Sequence, residues 1–136
     1  MFLNLLTKKE KLKFIDLAIY MVDVDGEPNE VEKALLSRMY GDLGHEIVDE
    51  YTFGKSDSID ETIEYFMQSN QAVKNIIFLN LVWISMLEDM YNTSEHVFLE
   101  KVQKKFGITA QKRIDLMHIV YDERDLREKA LRAIKN

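Results

Sequence analysis

The chain reads as all-α, a compact bundle of about seven helices, and three observations predict it. Apolar residues recur at spacings of three and four along most of the length, capping signatures open successive segments, and no stretch alternates apolar with polar residues as a half-buried strand would. At 136 residues, 46% hydrophobic and 10% aromatic, the sequence suits a single domain spanning residues 1–136, with a core that needs no staples. It contains no cysteine, which removes disulfides, thiolate metal sites and thiol nucleophiles from consideration.

The first helix is expected to start at Thr7-Lys8-Lys9-Glu10, a capping box in which the threonine hydroxyl and the glutamate carboxylate each accept the other residue's amide. Leu12, Ile15, Ala18, Ile19 and Val22 then share a face, and Gly26 with Pro28 ends the helix near Val24. Asn29 and Glu32 open a second helix with Val31, Leu35 and Met39 inward, closed by Gly41 and Gly44. A short helical piece follows at residues 46–51, then a loop at 52–57. Ser58-Ile59-Asp60-Glu61 caps a helix carrying Ile63, Phe66 and Met67.

Asn70 caps the most apolar stretch, 71–87. Apolar residues surround it almost completely, which predicts a helix packed in the middle of the bundle. Asn92 and Glu95 open the next helix, with Val97, Phe98, Val102 and Phe106 inward as far as Gly107. Thr109 or Ala110 starts a segment with Ile114, Met117, Val120 and Tyr121, and Asp122 caps a last helix with Leu126, Ala130, Ala133 and Ile134.

Residues 1–6 are apolar except for Asn4, but the lysines follow them, the reverse of a signal peptide. The longest apolar run, 76–87, is broken by Asn80 and Ser85 and is too short to span a bilayer. A soluble cytoplasmic protein with no membrane span is the expectation. Net charge is −6, unevenly spread: residues 23–64 hold thirteen acids against three bases, and residues 99–136 hold ten bases against six acids. The acidic part would repel phosphates, which argues against a nucleic-acid partner. The basic part alternates in sign, as on a solvated helix face.

Acidic turns occur twice, at Asp23-Val24-Asp25-Gly26-Glu27-Pro28-Asn29-Glu30-Val31-Glu32 and at Leu87-Glu88-Asp89-Met90-Tyr91-Asn92-Thr93-Ser94-Glu95. An offset of 63 sets Glu88 on Asp25, Asn92 on Asn29, Glu95 on Glu32, Phe106 on Leu43 and Gly107 on Gly44. Apolar register, caps and terminal glycine agree together, so the chain reads as a duplicated helix-turn-helix unit with halves at about 8–44 and 71–107.

At these residues the sequence resembles the TerB-like family, the tellurite-resistance-associated domain also found at the membrane-anchored co-chaperone DjlA. The residues that carry the resemblance are Asp25-Gly26-Glu27-Pro28-Asn29-Glu30-Val31-Glu32 in the first half. In the second they are Glu88-Asp89 through Glu95, with Phe98-Leu99 and Phe106-Gly107-Ile108. It covers roughly residues 11–121 and departs from the pattern at Met90, where a glycine often follows the aspartate. The resemblance implies a non-enzymatic helical module of bacterial stress responses that binds a divalent cation, a protein partner, or both. Carried over, its metal-ligating positions are Asp25 and Glu32, with Asp89 (or Glu88) and Glu95. Carboxylate oxygens suit hard cations of the calcium or magnesium class.

Capping chemistry accounts for the same residues without a metal. Glu32 and Glu95 fit capping boxes, acids in a first helical turn complement the helix dipole, and Asp25-Gly26 is ordinary turn chemistry. The first turn is not an EF-hand, because counting from Asp23 puts glycine at position four and Ala34 at position twelve. His45, His96 and His118 are scattered, and no phosphate loop, nucleophile elbow or His-Glu-x-x-His pattern occurs. Met21, Met39, Met67, Met86 and Met117 fall on or beside apolar stripes and read as core, as does Trp83. Two other readings stay open: a metal-dependent hydrolase built on converging carboxylates, and a structural or dimerisation domain marked by an exposed apolar patch such as residues 1–6.

Overall fold

Capping side chains set where the helices begin. The computed structural model describes residues 1–22, 37, 39, 41–50, 58–86 and 93–136, and among these every regular element is helical. After a 3-10 turn at Leu3–Leu5, α1 (Lys8–Val22) starts from the predicted capping box: Thr7 N–H donates to Glu10 Oε1 at 2.8 Å and Glu10 N–H to Thr7 Oγ1 at 3.2 Å. Ser37, Met39 and residues 41–43 are helical, and α2 (His45–Glu50) follows Gly44 directly. Ser58 Oγ caps α3 (Ile59–Met67) and Asn70 Oδ1 caps α4 (Gln71–Ser85), accepting from Glu61 N–H and Val73 N–H. Then come α5 (Thr93–Lys105) and α6 (Ala110–Lys135), the latter capped by Thr109 Oγ1 on Lys112 N–H at 3.0 Å.

Two glycines end helices through left-handed backbone. Gly44 has φ +99° and Gly107 φ +65°, a region that costs residues with a Cβ. At Gly107 the turn is a Schellman motif: its N–H reaches Lys104 O at 3.2 Å and Ile108 N–H reaches Gln103 O at 3.0 Å, while Ile108 is buried. Lys11 Nζ donates to Leu43 O at 3.2 Å, tying α1 to the turn at Gly44.

Helix α4 is the hub, packing against α1, α3, α5 and α6. Every residue from Ile77 to Ser85 is buried, as the all-round apolar pattern predicts. Around it close Phe14, Leu17 and Met21 of α1, Phe66 of α3, Val102 of α5 and Val120 of α6. Each fully buried large side chain of this kind stabilises the fold by roughly 1.5–3 kcal/mol before entropy is counted. The all-α bundle inferred from the sequence is therefore the architecture found.

Several local expectations need correction. Residues 110–135 form one helix, not two: Asp122 lies inside α6, because an acid that could cap is equally at home on a solvated helix face. Gly41 lies within a helix, and Gly44 makes the break. Met67, Val97, Ile114, Tyr121, Leu126 and Ile134 are exposed, so the inward positions of α6 are Leu116 and Val120. Residues 1–6 are not an exposed patch. Leu3 and Leu6 are buried, leaving Phe2 and Leu5 outside. The helix at Asn29, the loop at 52–57 and the cap at Asn92 lie outside the described residues.

The 63-residue offset has structural counterparts. α1 and α4 are both fifteen residues long, with starts and ends 63 apart, and Gly44 and Gly107 share positive φ at that same separation. Phe14 and Ile77, Ala18 and Leu81, Met39 and Val102, and Leu43 and Phe106 are buried on both sides of the correspondence.

Candidate functional site

Of the four carboxylates singled out by sequence, Asp25, Glu32 and Asp89 lie outside the described residues. Glu95 lies within them, in the first turn of α5, and is 4% exposed. The other two acids at capping-box positions differ: Glu10 is half-buried and Glu61 exposed. A carboxylate taken out of water needs compensating contacts, so Glu95 sits in a more demanding environment than a surface cap would.

The helix ends that lead to and from the two acidic turns are neighbours. Tyr20, three residues before Asp23, packs against Phe98, three residues after Glu95, with ring centroids 4.9 Å apart and planes tilted by 51°. In the last turn of α4, Ser85 Oγ donates to Val82 O at 2.7 Å. Next to Glu95 in the first turn of α5, His96 places Nε2 3.0 Å from Oε1 of Glu100, one turn on. Among the described residues, no three His, Asp or Glu side chains converge as a metal-binding group.

A shallow groove of about 420 Å³ lies between α5 and α6, lined by Glu100, Gln103, Lys104, Ala110, Arg113 and Ile114. Arg113 Nη1 donates to Gln103 Oε1 at 2.7 Å and lies 3.9 Å from Glu100 Oε1, while Gln103 Nε2 donates to Ile108 O at 3.2 Å. These bonds rigidify the corner where α5 turns into α6.

A second polar cluster, which the sequence showed only as an interruption of the apolar run, surrounds Asn80. This fully buried side chain accepts from the Met1 ammonium at 2.8 Å and donates to Met1 O and Ile76 O, both at 2.8 Å. Asp42 Oδ2 accepts from Leu3 N–H at 2.9 Å and lies 3.7 Å from the ammonium. Burial pushes the α-amino group below its ordinary value, and Asp42 partly offsets the shift. Between α3 and α5, the Lys101 ammonium hydrogen-bonds Asp60 and holds that exposed carboxyl below its usual range.

Neither a family model, a curated protein nor a solved structure matches this chain. No helix among the described residues is long and apolar enough to cross a membrane.

Proposed function

We propose that the chain is a non-enzymatic, TerB-like helical module, built from a duplicated helix-turn-helix unit, whose two acidic turns together hold a divalent cation of the calcium or magnesium class. One observation carries this reading, the contact of Tyr20 with Phe98, because it brings the approach to the first turn beside the exit from the second. The burial of Glu95 supports it: a carboxylate drawn inward at this place gains from a neighbouring cation in a way that the exposed Glu61 does not. The matching lengths of α1 and α4 and the paired positive-φ glycines support the duplication. In this reading the cation fixes the shape of the acidic end, and that end is what a protein partner in a stress response recognises.

Calorimetric titration of the full chain with calcium, magnesium, manganese and zinc tests the cation. Binding heat with a hard cation is expected, lost in Asp25→Asn/Glu32→Gln and in Glu95→Gln. A saturating cation also raises unfolding stability, by about 2.7 kcal/mol at a hundredfold excess over Kd. Absence of heat with all four metals, or heat unchanged in the variants, would remove the proposal. Hydrolysis of a phosphoester or peptide that depends on the same carboxylates would favour the enzymatic reading instead.

A further inference from the structure

The second half of α6 leaves the body of the molecule. Leu116 and Val120 are the buried residues of this 26-residue helix, and from Arg124 onward every residue is exposed. At 1.5 Å per residue the stretch 124–135 runs for about 18 Å. Its surface is not that of a polar spacer. Ile119, Leu126 and Ala133 recur every seven residues, with Ala130 and Ile134 adjoining them. Ile119 is 47% exposed, Leu126 67% and Ile134 78%. Single exposed apolar residues are normal on a soluble protein, but a ladder at heptad spacing is the seam by which one helix packs against another.

Charge along the same stretch is sorted by position. Residues 122–128 carry four acids and two bases, net −2, whereas 129–136 carry Lys129, Arg132 and Lys135 with no acid, net +3. Within the molecule the Glu123–Arg127 and Arg124–Asp125 pairs occupy both bases of the first group. The three bases of the second group face solvent.

We propose that a second copy of this chain covers this face, the two α6 helices running antiparallel. That arrangement sets the acidic 122–128 stretch of each copy against the basic 129–136 stretch of the other, so opposite charges meet twice around the twofold axis. Parallel pairing would set like against like. Ala130 and Ala133 let the helices approach closely, and Leu126 of each copy fills the space beside them. The opposed helix dipoles favour the same orientation.

Sedimentation equilibrium on the full chain tests this. A concentration-dependent dimer is expected, weakening as added salt screens the charges. Leu126→Glu, at an exposed position that leaves the fold intact by circular dichroism, makes the chain monomeric. Lys129→Glu/Arg132→Glu raises Kd roughly tenfold or more, and mixing it with Asp122→Lys/Asp125→Lys restores association. Because the chain has no cysteine, Asp122→Cys and Ala133→Cys, both on the seam side of α6, each introduce one thiol. Under mild oxidation the mixed pair cross-links 122 to 133, while 133 to 133, about 16 Å apart in antiparallel helices, stays unlinked. A chain monomeric at the highest soluble concentration, a dimer indifferent to Leu126→Glu, or a dominant 133–133 cross-link would overturn the proposal.

Discussion

Asn80 shows how much one polar side chain can organise. It makes three hydrogen bonds inside an apolar helix: one to the carbonyl of Ile76 in its own helix and two to Met1. Asn80→Leu keeps the volume but leaves the Met1 carbonyl unpartnered and the ammonium with Asp42 alone, and it should cost about 1–3 kcal/mol in urea unfolding. The ammonium carries a pH signature as well. Its folded pKa lies below the ordinary α-amino value of about 8, chiefly through burial, so the unfolded chain binds the proton more tightly. This group's contribution to stability is therefore fully favourable above pH 8 and declines as pH falls through the folded pKa. Asp42 opposes the shift, so Asp42→Asn should be most destabilising, by up to about 1 kcal/mol after solvent screening, below that window, and least so above pH 8. Unfolding curves of the two proteins across pH 5–9 make the comparison.

At the scale of elements, caps and glycines were legible in the sequence because their chemistry is local. Thr7, Ser58, Asn70 and Thr109 each accept the amide three residues on, as their spacing implied. Gly107 gives a direct test. Open space surrounds its missing Cβ, so a substitution there meets only the strain of φ +65°. Gly107→Ala should cost about 1 kcal/mol and Gly107→Asn less, since asparagine tolerates left-handed backbone, whereas Gly107→Val should cost more. What the sequence hid is non-local. Val97 and Ile114 obey helical spacing yet point outward, because periodicity identifies a stripe without saying which side a neighbour covers. Asp122 carried the same local signal as a true cap while lying inside α6. The candidate site was legible at Glu95 by position, but its burial depends on what packs over the start of α5; Asp25, Glu32 and Asp89 lie outside the described residues.

For the whole molecule, α4 ties the parts together and the far end of α6 contributes nothing to them. A chain ending after Glu123 should therefore keep its melting temperature within about 2 °C of the full chain at concentrations too dilute for pairing, since none of the residues removed is buried. Scanning calorimetry on the two chains provides the check. The contact between Met1 and Asn80 has a temporal consequence too, because its partners lie 79 residues apart along the chain. Closing a loop of that length directly costs roughly 4 kcal/mol by the logarithmic law, but once α1 has docked on α4 only a short strap remains to be closed. During synthesis the first residue must therefore wait until the middle of α4 has cleared the ribosome. The strap can thus lock only after α1 has docked on α4, and in hydrogen exchange the Leu3 amide should open before those at the centre of α4.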